Sequence, residues 1–227
     1  MKKHIVVLSG AGISAESGIK TFRDTDGLWE GFDVIEVASP QGFATNPKLV
    51  LDFYNQRRRQ LLTVHPNSAH FALAELKKDY KVTIITQNID DLHERAGSSN
   101  VIHLHGELFK VRSTLDATDI QEWKTDLMLG DVCKKGHQLR PHIVWFGEDV
   151  PMIEKALAIC KTSDILMIVG TSMQVYPAAG LIHYTPKNTP TFFIDPKPNI
   201  SSKKNLMVIP KKATVGVKQA IEAIKNL

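Results

Sequence analysis

The stretch from residue 4 to residue 24, HIVVLSGAGISAESGIKTFRD, carries the first chemistry legible in this chain. Ile5, Val6, Val7 and Leu8 read as a strand covered on both faces, and Gly10, Gly12 and Ala15 follow at the spacing of a dinucleotide-binding turn. In such a turn the first glycine permits a tight bend, and the second lets backbone N–H groups approach a pyrophosphate at a helix N-terminus. A ligand with a diphosphate is therefore expected. A hydride-transfer enzyme would need a second strand, ending in an acidic residue about 20 residues further on, to hold the adenine ribose. Here that region reads TFRDTDGLWEGFD, without a strand pattern, so the nucleotide is expected to bind in another way. A second signal lies in NPKLVLDFYNQRRRQLL, where Val50, Phe53 or Tyr54, Arg57 and Leu61 fall on one helical stripe. An unpaired buried charge costs on the order of several kcal/mol, so an inward Arg57 needs an anion. Tyr54, three residues earlier, can offer its hydroxyl to the same group, and the pair reads as a clamp for a carboxylate.

The elements that must position these residues follow from the apolar pattern. Strand-like runs recur at 5–8, 82–86, 101–104, 143–146, 165–169, 191–194 and 206–209, with helical patterns at 47–62, 68–78, 152–161, 177–183 and 215–224. Such alternation implies an α/β fold, a doubly wound, Rossmann-like parallel sheet with helices on both faces. The stretches 27–62 and 111–139 break the rhythm and are expected to form a smaller inserted lobe, with the ligand cleft between the lobes. Residues 1–227 thus read as one domain, with a large lobe over approximately 1–30, 80–110 and 140–227 and a small lobe over approximately 31–79 and 111–139.

With 227 residues, 43% of them hydrophobic, the chain has ample material for a core. Its longest apolar runs are strand-sized, which excludes a membrane span, and the N-terminal run is too short for a secretory signal. Two cysteines without a clustered pattern, Cys133 and Cys160, suit a reducing compartment, and a cytoplasmic monomer is expected. The net charge of +4 owes much to lysines 197, 203, 204, 211, 212, 218 and 225, dispersed singly or in pairs rather than interleaved with aromatics. They read as a solvated surface, not a nucleic-acid site.

Four further segments sit at or just after predicted strand ends, the edge where open α/β sheets bind ligands: TQNIDDLH (86–93), HLHGE (103–107), LRPHIVWFGE (139–148) and GTSMQVYPAAG (170–180). Together with GAGISAESGI and TFRD, in this order and spacing, they closely resemble the sirtuins, NAD-dependent protein lysine deacylases of which the bacterial desuccinylase and deacetylase type is nearest. The resemblance covers nearly the whole chain. It implies that NAD is consumed as co-substrate, that nicotinamide and O-acyl-ADP-ribose are released, and that acyl-lysine proteins are the partners. It implies His105 in HGE as the base that deprotonates a ribose hydroxyl, a task suited to a side chain whose pKa lies near neutrality. His103 shares its side of the segment, but the glycine follows His105. Asn88 joins His105 in the catalytic set. Gln87, Asn88, Ile89 and Asp90 resemble the family's cofactor-handling residues, while the role of Asp91 stays open. By the same resemblance Gly10, Ala11, Gly12, Ser14, Glu16, Phe22 and Arg23 contact the cofactor from the first loop, and Gly170, Thr171 and Ser172 from another strand end. Val144, Trp145, Phe146 and Gly147 correspond to the strip against which a substrate peptide adds as a β-strand, a mode that reads backbone more than sequence. The Tyr54-x-x-Arg57 pair resembles the signature of sirtuins that remove succinyl and malonyl groups, and Ala38 matches the small residue that leaves their acyl pocket roomy.

Some positions depart from the family pattern. Counting from HGE and LRP, the Cys-x-x-Cys pairs of the usual structural zinc would fall at Ser113 and Asp116 and at Val132 and Lys135, with Cys133 one position off. One thiolate with His137 cannot supply four soft ligands, so no metal is expected. The lobe is then expected to be held by packing alone, with Leu115, Ile120, Trp123, Leu127, Leu129 and Val132 as its core. Asp195 stands where many sirtuins carry an asparagine near the adenosine ribose, and Ala213 matches an adenine-adjacent alanine. Two other functions fit part of this pattern: ADP-ribosyl transfer to protein, and a catalytically silent NAD-binding module.

Overall fold

A computed structural model describes residues 2–21, 28–29 and 31–227, with the backbone alone at Leu28. In chain order the strands are β1 (His4–Ser9), β2 (Leu28–Trp29), β3 (Phe32–Asp33), β4 (Lys81–Thr86), β5 (Val101–His103), β6 (Gly106–Ser113), β7 (Ile120–Glu122), β8 (Leu139–Ile143), β9 (Ile165–Val169), β10 (Thr191–Ile194) and β11 (Leu206–Ile209). The α-helices are α1 (Val34–Val37), α2 (Pro40–Thr45), α3 (Pro47–Thr63), α4 (Ser68–Glu75), α5 (Leu92–Arg95), α6 (Ile153–Cys160) and α7 (Ala213–Lys225).

Six strands form one parallel sheet in the order β11-β10-β9-β1-β4-β5. Successive strand side chains point to opposite faces, which explains why β1 is apolar throughout. Its Ile5 and Val7 enter one core with Leu73 of α4 and Val217 and Ala220 of α7, while Val6 and Leu8 enter another with Ala156 and Cys160 of α6. The chain runs outward from β1 through β4 to β5, then returns to pair β9 against the other side of β1. That reversal leaves a crevice beyond the C-terminal ends of β1 and β9, where such sheets bind ligands.

Three expected elements differ. Residues 143–146 do not join the main sheet: the strand here is β8, which pairs antiparallel with β6 across a register shift, and β7 completes a separate three-stranded sheet. The helical pattern at 177–183 settles as a 3-10 helix, Ala178–Tyr184, and that at 68–78 splits into α4 and a 3-10 turn, Leu76–Lys78.

The expectation that packing alone holds the small lobe is overturned. Leu115 is 75% exposed, and Ile120, Leu129 and Val132 are also exposed, whereas Leu127 is buried with Leu51, Val111, Cys133 and Leu139 and Trp123 packs at its edge. Polar ties do the rest. Asn55 of α3 donates to the Leu127 carbonyl (3.0 Å) and accepts from its N–H (2.8 Å). Arg58 donates to the Leu108 carbonyl and to Asn55 Oδ1. At the positions counted for zinc, the Cys133 thiol donates to Ser113 Oγ (3.6 Å) and Lys135 pairs with Asp116 (3.0 Å). Among the described residues, no group of three or more histidine, cysteine, aspartate or glutamate side chains could hold a metal ion. Among the described residues, no helix is long and apolar enough to cross a membrane.

Candidate active site

At the end of β1 the chain turns through Gly10 into two single-turn 3-10 helices, Ala11–Ile13 and Ala15–Ser17, instead of the α-helix that a dinucleotide turn implies. The Gly10 N–H donates to the Val169 carbonyl (3.0 Å) and the Gly12 N–H to that of Gly170 (2.8 Å). A Cβ on Gly12 would lie 2.6 Å from Gly170 Cα, and Gly170 itself sits at φ 62°. These glycines therefore let two turns interlock, and the two N–H groups expected to face a pyrophosphate are spent on that contact.

The QNID loop follows β4 and is aimed largely by side-chain hydrogen bonds. Thr86 Oγ1 accepts from the Asn88 N–H, and Gln87 Nε2 donates to Thr171 Oγ1 (3.0 Å) beside Ser172 at the end of β9. Asn88 Nδ2 donates to Ser14 Oγ (3.2 Å), whose proton goes to Asp90 Oδ2 (3.0 Å). Asp90 Oδ1 accepts from the Leu92 N–H (3.1 Å), yet burial raises this carboxyl to a pKa of about 6. Near neutrality this carboxyl lies closer to gaining a proton than an exposed aspartate does.

The two histidines after β4 divide clearly. His103 has both ring nitrogens engaged, Nδ1 with the Asn88 carbonyl (3.0 Å) and Nε2 with Glu94 (2.9 Å). Burial opposes its charge, but the Glu94 contact outweighs it and raises the pKa. His105 uses only Nδ1, at the Gln87 carbonyl (3.0 Å). A carbonyl only accepts, so Nδ1 carries the proton and Nε2 keeps its lone pair, with no partner among the described residues. Burial lowers its pKa, which keeps the ring a neutral base.

A cavity of about 290 Å³ joins these groups to the small lobe. Ala11, Gln87, Asn88, Ile89, Asp90 and His105 line it from the sheet edge, and Trp29, Ala38, Tyr54 and Val144–Gly147 from the other side. The Val144 N–H donates to the His105 carbonyl and that of Phe146 to the Ala38 carbonyl, both at 2.9 Å, which fixes the strip between the two lobes. Gly147 turns the chain at φ 91°. Tyr54 borders the cavity from a fully buried position, where burial raises its hydroxyl pKa.

Other expected site residues lie elsewhere. Arg57 does not line this cavity: it is half-buried, donates to the Phe53 carbonyl (2.9 Å) and stacks 3.8 Å over the Phe53 ring. The fully buried arginine is Arg58, because the inward stripe runs through Tyr54, Asn55 and Arg58 as well as Val50 and Leu61. Glu16 is exposed, and its two carboxylate oxygens accept from the N–H and hydroxyl of Thr214 in the first turn of α7. Asp195 is buried and accepts from the Lys197 N–H (2.9 Å), and Ala213, the first residue of α7, packs in the core. Phe22 and Arg23 lie outside the described residues.

Sequence reasoning passed over the charged cluster behind the strip. Glu148 accepts from Arg112, from both terminal nitrogens of Arg140 and from the Trp145 N–H (2.8 Å), and Arg140 stacks 3.3 Å over the Trp145 ring. The signal was present, since Arg140 and Glu148 stand near the two ends of LRPHIVWFGE with opposite charge.

Residues 10–177 match the family model described as the Sir2 family. The chain is 63% identical over 195 residues, 86% of its length and 85% of the relative's, to an NAD-dependent protein deacylase of Helicobacter pylori (strain ATCC 700392 / 26695). It is 52% identical over 224 residues, 96% of each chain, to an NAD-dependent protein deacylase of Bacteroides thetaiotaomicron. Among solved structures, a Sir2 homologue in complex with NAD superposes with a TM-score of 0.87 at 38% identity, covering 99% of this chain and 90% of that one. A mutant Sir2 homologue in complex with ADP-ribose gives 0.87 at 36% identity, covering 99% and 93%.

Proposed function

The chain belongs to the Sir2 family and is an NAD-dependent protein deacylase, and from that premise we infer how its residues divide the work. One observation carries the reading: His105, Asn88 and Asp90 share a single cavity with Ala38, Tyr54 and the Val144–Gly147 strip. The donor set suits NAD. Amides of Gln87 and Asn88 can hold ribose hydroxyls, and a carboxyl of pKa about 6 at Asp90 can accept a hydrogen bond from a carboxamide. Gly10, Ala11, Gly12, Ser14, Phe22, Arg23, Ile89, Gly170, Thr171, Ser172, Asp195 and Ala213 are assigned to the rest of the cofactor, with Glu16 acting through its hold on α7.

When bound among these residues, NAD would supply an electrophilic ribose carbon, with nicotinamide as the leaving group, to the acyl oxygen of lysine. His105 accepts a ribose hydroxyl proton at Nε2 and can return it, since its Nδ1–H stays on the Gln87 carbonyl throughout. The strip orients the acyl-lysine, and the walls of the cavity exclude water.

The acyl preference assigned here is for succinyl and malonyl groups, with acetyl removal retained. Ala38 leaves space, Tyr54 offers a hydroxyl, and the Arg57 charge acts on that hydroxyl from one turn further along α3. Two free, buried cysteines support a reducing, cytoplasmic setting. Mass-spectrometric turnover of one lysine peptide carrying acetyl or succinyl, with and without NAD, tests the reading for wild type and Arg57→Met. NAD-dependent loss of succinyl that drops about tenfold in the variant, with acetyl removal retained, is the expected result. Equal losses for both peptides would remove Arg57 from acyl selection.

A further inference from the structure

Behind the acyl end of the cavity, one hydrogen bond has a fixed direction. Trp145 Nε1 lies 3.0 Å from the Tyr54 hydroxyl oxygen, and both side chains are buried. An indole N–H can only donate, so the phenol oxygen accepts and its single proton must point elsewhere. Among the described residues, that proton has no acceptor within hydrogen-bonding distance. We propose that Trp145 is a specificity-determining residue, which sets the Tyr54 hydroxyl as a donor to the carboxylate of an acidic acyl group.

The proposal rests on the acidic-acyl reading above and adds its mechanism. A phenol is a rotor, and a free one could turn either its proton or its lone pairs toward a ligand. Trp145 removes that choice only if it cannot turn itself, and the surroundings see to this. The Arg140 guanidinium stacks 3.3 Å over its ring, and Phe43 packs against it at 5.3 Å between centroids. Its backbone N–H is held by Glu148, which Arg140 and Arg112 hold in turn. The indole is thus fixed at both ring and backbone. A succinyl or malonyl carboxylate accepts the aimed proton. An acetyl methyl cannot, and it leaves a buried donor unpaired, so discrimination comes from the cost of the wrong substrate as much as from attraction to the right one.

The test is the ratio of kcat/KM for succinyl over acetyl on one peptide sequence, measured for wild type, Tyr54→Phe, Trp145→Phe and the double variant. Because it is a ratio within each preparation, any loss of folded protein cancels. Each single variant is expected to lower it about tenfold, chiefly through the KM of the succinyl peptide, and the double variant no further than either single one. If Trp145→Phe slows both peptides alike while Tyr54→Phe lowers the ratio, Trp145 only packs and the proposal falls, with the acidic-acyl reading intact. If Tyr54→Phe leaves the ratio unmoved, the acidic-acyl reading fails first. Additive losses in the double variant would also overturn the coupling. Should Trp145→Phe not fold, benzothienylalanine at position 145 replaces the indole N–H with sulfur at nearly constant shape and carries the same expectations.

Discussion

The ligand-facing edge of the six-stranded sheet and the three-stranded lobe beside it are held by opposite means. At the edge, backbone groups aim two of the working side chains, His105 by the Gln87 carbonyl and Asp90 by the Leu92 N–H, and one hydroxyl, Ser14 Oγ, ties Asn88 to Asp90. In the lobe the ties cross between elements distant in sequence, as when Asn55 of α3 exchanges two hydrogen bonds with Leu127. Chemistry narrows which residues an edge can use. Cohesion leaves many solutions open, and a thiol–hydroxyl contact with an ion pair occupies the positions counted for a zinc site.

If that contrast is right, damage to the edge should remove activity and spare the fold, while damage to the lobe should do the reverse. His105→Ala is expected to cut NAD-dependent turnover by a factor on the order of 10² to 10⁴ with an unchanged unfolding midpoint. Retained turnover would move the base elsewhere. Asn55→Ala leaves both Leu127 backbone groups and an Arg58 N–H unpaired in a dry interior, and urea unfolding should show a loss of about 4 kcal/mol. Acid sharpens the comparison beneath the edge, where the rings of His70 and His93 lie 5.0 Å apart and His93 bonds Ser9. Burial lowers the His70 pKa from 6.5 to about 4, so between those values the unfolded chain binds a proton that the folded one refuses. The His70 contribution to stability is therefore full above pH 6.5 and falls by up to about 3 kcal/mol toward pH 4, against the opposite slope of Asp90, whose raised pKa favours the folded state in acid, and His70→Leu should remove the His70 part of the pH profile. The smallest effects belong to the exposed pair in the lobe. Lys135→Ala should lower the midpoint less than Asn55→Ala, and less still in high salt. EDTA should leave the midpoint where it was, and a fall on chelation would reveal a metal.

The same contrast explains what could be read from the chain. β1, β9 and β10 announced themselves because strands buried on both faces need unbroken apolar runs, and the QNID and HGE residues because few side chains do their chemistry. β8 did not, since the apolar run 143–146 looks like a strand wherever hydrogen bonding later divides it. Arg57 and Arg58 are neighbours on one helix, and a stripe wide enough to hold Phe53 and Tyr54 together cannot say which of them turns inward. The lobe's core was misjudged for a related reason. Its apolar residues outnumber the places available inside, and polar ties decided which of them went in.

Glu16 gripping Thr214 joins the first turn of the chain to its last helix across 198 positions. A ribosome delivers those two partners at nearly opposite ends of its work. Until residue 214 has emerged and α7 has settled, the loop that leads out of β1 lacks this anchor, so a partly made chain can assemble much of its sheet and still hold that loop loosely. Competence for the nucleotide is then among the last properties a growing molecule acquires, since a nascent chain stalled before α7 would lack both this anchor and the cover that Val217 and Ala220 give one face of the sheet.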